Sequence, residues 1–136
     1  MKISFNPPLK GNMLPIIETK DAVFSKKILG DGFGIYPQNK SILSPVLGTV
    51  HSIFPTKHMM ILRHALCHIM IHLGLDARKN IVDWNVKVGD KVSKGQTIGN
   101  LKSSFFDQIL SSQIVNIVFL ETKSCYFNNH YVICDE

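Results

Sequence analysis

The sequence predicts an all-β fold, a sandwich or barrel with at most one or two short helices. Short β-rich runs recur at close intervals, separated by Gly, Pro, Asn and Asp, which is the punctuation of such folds. Stretches with helical periodicity are scarce. A chain of 136 residues that is 45% hydrophobic is long enough to bury a sizeable core as one domain.

Taken in order, Asp21 to Ile28 has room for one or two helical turns. Gly30-Asp31-Gly32-Phe33-Gly34 reads as a turn entering a strand at Ile35 and Tyr36, which breaks at Pro37. Ser41-Ile42-Leu43 is the next short strand, and Pro45 suits an edge position or its end. Gly48 to Phe54 follows and is stopped by Pro55. Met59 to Arg63 and Cys67 to Leu73 form a strand pair with a turn between. Val86 to Ile98 holds two strands punctuated by turns. Phe105 to Leu110 is a short helix that Ser103 or Ser104 would cap. Ile114 to Leu120 is the last strand.

Residues 63–72 admit two readings, because His64, His68 and His72 recur every four residues. On a helix they share one face and resemble a metal comb. On a strand they also share a face, since side chains alternate with a period of two. The surrounding strands favour the second reading. His68 and His72 would then stand roughly 13 Å apart along the strand, too far to share one metal ion.

The composition excludes several classes. No run approaches the roughly 18 apolar residues of a membrane helix. The N-terminal segment has Lys2 but no apolar stretch of the secretory kind, so a cytoplasmic address without membrane insertion is expected. Cys67, Cys125 and Cys134 form an odd set without a CxxC pair, which suits thiols better than a disulfide framework or a zinc ribbon. The net charge is +5, with a pI near 9.2. The lysines are scattered and no basic stripe carries interleaved aromatics, so no nucleic-acid role is expected.

Several short motifs occur in a fixed order. Asp21-Ala22-Val23-Phe24-Ser25 is followed by Gly30-Asp31-Gly32, Pro37 and Ser44-Pro45-Val46-Leu47-Gly48-Thr49-Val50. Then come Thr56-Lys57-His58, Ile71-His72-Leu73-Gly74-Leu75-Asp76, Val88-Gly89-Asp90-Lys91-Val92 and Lys94-Gly95. The set resembles the glucose-type EIIA domain of the bacterial phosphotransferase system over about residues 10–120, leaving 123–136 as an extra tail.

The resemblance implies an antiparallel β-sandwich of the duplicated hybrid motif type, without a cofactor. It implies that His72 accepts a phosphoryl group from phospho-HPr and passes it to a cysteine of a sugar permease's EIIB domain. It also places His58 beside His72, and Asp31 and Asp76 near the site, where they would meet the basic rim of HPr. Phe33 would supply an apolar part of that docking surface.

The chemistry of the residues is compatible with these roles. Phosphoryl transfer needs positioning and charge neutralisation more than covalent machinery. A neutral imidazole, with an unperturbed pKa of about 6.5, is a good nucleophile near pH 7. His58 and His72 lie 14 residues apart, a spacing that two adjacent antiparallel strands would bring side by side. Thr56, two residues before His58 and on the same strand face, could orient an imidazole through its hydroxyl.

Some positions depart from the family pattern. Ala77 stands where a threonine is usual, Leu66 where a turn glycine is usual, and His68 where a glutamate is common. The basic pI is also unusual for the family. Two alternatives follow. One is a non-catalytic regulatory module of the same fold that binds protein targets. The other is a relic of a lysostaphin-like zinc peptidase, for which His72-x3-Asp76 has the right spacing but no His-x-His pair exists.

Overall fold

The computed structural model describes residues 1–65, 67–76, 78–128 and 130–135. Leu66 and Ala77, two of the departures noted above, lie outside the described residues. Thirteen strands run in chain order. They are β1 (Lys2–Ser4), β2 (Gly11–Pro15), β3 (Gly30–Pro37), β4 (Ser41–Leu43), β5 (Gly48–Ile53), β6 (Met59–His64) and β7 (Cys67–Leu73). The rest are β8 (Val82–Trp84), β9 (Lys91–Val92), β10 (Thr97–Leu101), β11 (Val115–Leu120), β12 (Ser124–Phe127) and β13 (Tyr131–Asp135). One short helix, α1 (Ala22–Ser25), and three 3-10 turns complete the described chain. The predicted all-β class with minimal helix is what the protein adopts.

The largest sheet has seven strands in the order β2-β3-β11-β7-β6-β5-β9. Two three-stranded sheets, β4-β10-β8 and β1-β13-β12, complete the fold, and the strand pairings are antiparallel. Alternation along the central strands gives the large sheet two distinct faces. Ile69, Ile71 and Leu73 of β7, Ile117 and Phe119 of β11, Phe33 and Ile35 of β3, and Met60 and Leu62 of β6 form its inner face. Ile42, Val82, Ile98 and Leu101 from one small sheet, and Ile3 and Val132 from the other, close over that face and complete the main core. A smaller cluster, Ile16, Phe24, Met70 and Val118, covers part of the outer face, with Met59, Ile61 and Leu120 packed against it.

Several boundaries differ from the sequence expectation. Gly30 to Gly34 is part of β3 rather than a turn ahead of it, because β11 pairs with every residue from Gly30 to Ile35. Residues 63–64 and 67–72 adopt the strand form: β6 and β7 pair from Met59↔His72 to His64↔Cys67, which excludes the helical metal comb. The expected helix near Phe105 is a 3-10 turn, Ser103–Asp107, preceded by Lys102 with no side-chain cap. Strands continue beyond Leu120, where β13 pairs with both β1 and β12. Val82–Trp84 is also a strand that the turn-rich sequence did not announce.

Ile71 sits at the centre of the buried face, fully enclosed, and pairs with Met60 and Ile117. Ile71→Ala should lower unfolding free energy by about 2–5 kcal/mol, the range for emptying a core aliphatic site. Urea denaturation followed by circular dichroism checks this, and a loss under 1 kcal/mol would show a site that collapses freely.

Candidate functional site

The outer face of the large sheet carries a row of four opposed positions: Gly34 in β3, Asn116 in β11, His72 in β7 and Met59 in β6. Residues directly opposite one another in such a ladder project on the same side. His72 therefore points away from the main core, between Asn116 and the start of β6. His58 immediately precedes β6, and its carbonyl accepts from Leu73 N–H at 2.8 Å. The two imidazole rings meet edge to face, with centroids 5.0 Å apart and planes at 85°.

Each ring is held through Nδ1. His72 Nδ1 is 2.8 Å from the Gly74 carbonyl. A carbonyl only accepts, so the proton resides on Nδ1 and the Nε2 lone pair is left for chemistry. Gly74 makes this possible with a φ of +79°, left-handed backbone that favours glycine. A side chain there would also crowd Gln108. His58 Nδ1 hydrogen-bonds the Thr56 hydroxyl. Thr56 does so from a turn rather than from a strand face, because Lys57 adopts a left-handed φ of 63°. That turn is closed by Lys57 N–H to the Phe54 carbonyl, 2.7 Å, and held from the small sheet by Trp84 Nε1–H to the Lys57 carbonyl, 2.8 Å.

Burial favours the neutral form of both imidazoles. Desolvation holds His58 below the ordinary histidine range. Desolvation also dominates at His72. The Gly74 bond opposes it, the nearby His58 adds to it, and the charge of Asp21 opposes it more weakly.

The short helix α1 completes the surroundings. Asp21 caps it, accepting from Val23 N–H at 2.8 Å. Phe24 then packs edge to face on His72, with centroids 5.0 Å apart. Neither Asp21 nor Phe24 was expected at the site, although the Asp-x-x-Phe pattern at a helix start was the available signal.

Asn116 is a second unexpected feature. It is fully buried beside His72, and among the described residues neither its Oδ1 nor its Nδ2 has a hydrogen-bond partner. Leaving a buried carboxamide unpaired is costly, about 1–3 kcal/mol per group.

Not all the residues named from the sequence come together. Thr56, His58 and His72 converge. Asp76 is exposed in the segment that follows β7. Asp31 and Phe33 alternate onto the opposite face of the sheet. Phe33 is 2% exposed and packs against Phe5 and Phe127, so the expectation of a docking role at the His72 surface is corrected by its burial. Asp31 is also buried. Its carboxylate accepts from Gly32 N–H and Cys125 N–H and pairs with Lys27 at 3.4 Å, which ties β12 to β3. His68 lies further along β7, its ring against that of His51 at 4.8 Å.

Comparison with known proteins gives this arrangement its class. Residues 3–125 match the family model of the phosphoenolpyruvate-dependent sugar phosphotransferase system, EIIA 1. The chain belongs to that family. It is 31% identical over 134 residues to the glucose-specific EIIA component of the phosphotransferase system from Staphylococcus aureus (strain Mu50 / ATCC 700699), covering 95% of this chain and 80% of the relative. It is 36% identical over 118 residues to the beta-glucoside-specific EIIBCA component of Bacillus subtilis (strain 168), covering 80% of this chain but 19% of that longer protein. With the glucose-specific EIICBA component of Streptococcus pneumoniae serotype 4 it shares 48% identity over 92 residues, 65% of this chain and 13% of the relative. The chain thus spans a fifth or less of these two fused relatives. The fold matches that of glucose permease IIA from Mycoplasma capricolum, with a TM-score of 0.83, 24% identity and coverage of 98% and 95% of the two chains. Among the described residues, no helix is long and apolar enough to cross a membrane.

Because both imidazoles have pKa values below the ordinary 6.5, NMR titration should place the midpoints of His58 and His72 under that of an exposed histidine, with His72 as the Nδ1–H tautomer. The unfolded chain then protonates first as the pH falls. Stability contributed by these rings is present above about pH 6.5 and lost as pH drops through the lowered values. Replacing His72 by Gln should flatten that slope in urea titrations between pH 7 and 5, and an unchanged slope would count against burial as the cause.

Proposed function

We propose that this protein is a phosphocarrier: His72 Nε2 accepts a phosphoryl group from phospho-HPr and releases it to the cysteine of a sugar permease's EIIB domain. The observation that carries this reading is the His72 Nδ1–Gly74 carbonyl bond, which leaves Nε2 as the nucleophile beside a second imidazole. Family membership and the fused EIIB portions of the relatives support the partner assignment. The fused relatives also make a separate EIIB partner, or one joined to this chain, equally compatible with the site.

The roles follow from position. Attack by Nε2 on the donor's phosphorus forms the new N–P bond as the donor's bond breaks, and the product phosphoramidate keeps a high transfer potential. His58, fixed by Thr56, donates a hydrogen bond to the phosphoryl oxygens and spreads their charge. The unpaired carboxamide of Asn116 flanks His72 on the other side, as suits a site that receives an anion. Asp76, which is exposed, and Asp21, which is partly exposed, would meet the basic rim of HPr, where charge governs encounter rate more than final affinity. The apolar docking area is supplied by Val23, Ile28 and Phe54, which are 44%, 66% and 38% exposed, rather than by Phe33.

A regulatory role is compatible with the same site. Phosphorylation adds about −1.5 to −2 charge to an apolar face, which changes what that face can dock.

Incubation with phosphoenolpyruvate, Enzyme I and HPr, read by intact mass, tests the carrier. The wild type should gain one acid-labile phosphoryl group, and His72→Gln none. His58→Gln should still accept phosphate but pass it to an EIIB domain about 10²-fold more slowly, the scale of one lost proton or hydrogen-bond donor. A phosphorylated His72→Gln protein would overturn the assignment. A folded wild type that gains nothing would favour the regulatory reading.

A further inference from the structure

The terminal hairpin sets two thiols face to face, on the opposite side of the sheet from His72. Cys125 in β12 and Cys134 in β13 are directly opposed in the register. Each turns its amide away from the other. Cys125 N–H donates to Asp31 Oδ2 at 2.7 Å, and Cys134 N–H donates to the Met1 carbonyl at 2.8 Å. The two residues therefore form a non-hydrogen-bonded pair, the narrower kind in an antiparallel ladder, with Cα atoms about 4.5 Å apart. Disulfides span Cα separations of roughly 4.4–6.8 Å, so a bond between these sulfurs asks little movement of the backbone.

The two thiols are not equivalent. Cys125 Sγ donates to Thr122 Oγ1 at 3.5 Å, and the neighbouring Cys134 thiol pushes Cys125 below the ordinary thiol range while Cys125 pushes Cys134 up. Cys125 is partly exposed and lines an open-sided cavity of about 360 Å³, together with Lys27, Asp31 and Phe127. Cys134 is only 1% exposed. One sulfur is thus accessible with more thiolate character, and the other is sheltered directly behind it. That division suits a reactive cysteine and its resolving partner.

We propose that Cys125 and Cys134 form a reversible redox site, in which a hydroperoxide entering the cavity converts the pair to a disulfide. The Cys125 thiolate attacks a peroxide oxygen, the O–O bond breaks, and with one proton taken up a sulfenic acid and one water form. The Cys134 sulfur then attacks the Cys125 sulfur. The S–S bond forms as the S–O bond breaks, and the departing hydroxide takes the Cys134 proton and leaves as a second water. Two thiols lose two hydrogens while one hydrogen peroxide becomes two waters. A small dithiol reverses the change by exchange.

The test treats the full chain with hydrogen peroxide, alkylates it, and reads intact mass and a non-reducing peptide map. The expected result is a chain about 2 Da lighter before alkylation that then takes up two fewer alkyl groups than the reduced chain, both restored by dithiothreitol, with Cys125 and Cys134 in one linked peptide. Cys125→Ser should abolish the mass loss. Cys134→Ser should instead accumulate a sulfenic acid at residue 125 that dimedone captures. If Cys134→Ser does not fold, the wild-type map and the Cys125→Ser protein still decide. A wild type in which Cys125 stays fully alkylatable after peroxide would overturn the site, as would a disulfide that joins Cys67 instead, or a loss that survives Cys125→Ser. None of these outcomes depends on whether His72 carries phosphate.

Discussion

The register of the β6–β7 hairpin is the constraint on which the site depends. Side chains alternate across a sheet, so a slip of one residue would send His72 into the core and bring Ile71 or Leu73 to the outer face. The inner face prevents this, because Ile69, Ile71 and Leu73 are fully enclosed there and have no alternative burial. A cooperative core therefore fixes the side on which the His72 imidazole emerges. The same ladder holds β11 against β7, which sets Asn116 next to His72 and leaves the small Gly34 beyond it.

Local backbone then sets the chemistry of each ring. Two left-handed residues, Lys57 and Gly74, stand at the ends of the paired strands and turn polar groups back onto His58 and His72. The Gly74 carbonyl fixes the Nδ1–H tautomer of His72 and the Thr56 hydroxyl orients His58, while burial favours the neutral form of both rings. Rigidity from the sheet and polarity from the turns are supplied by separate parts of the chain, so either can vary without loss of the other.

Much of this is legible in the amino-acid sequence. The strands around residues 63–72 favour a strand there too, where periodicity alone leaves a helix open, and the motifs around His58 and His72 mark the paired imidazoles. The contributions of Asp31 and Phe33 were not legible. A Gly-Asp-Gly run looks like an exposed turn, and only its full pairing with β11 shows that it is a buried strand. The helical turn at Asp21 and Phe24 is legible, but its packing on His72 is a long-range contact that a one-turn helix does not signal in sequence. The final hairpin escaped notice for a related reason: Ser124 to Phe127 is short and mixed in polarity, and its stability comes from distant partners, Asp31 and β1.

Trp84, the single tryptophan of the chain, links the two layers of the sandwich. Its indole N–H binds the backbone of the turn that carries His58, although the residue itself belongs to the small sheet. Indole emission responds to hydrogen bonding and local field, so the protein contains an optical probe wired to one of the two site imidazoles. Events at the site can be followed in real time on the unlabelled chain, and movement of that turn relative to the rest of the fold has its own spectroscopic voice.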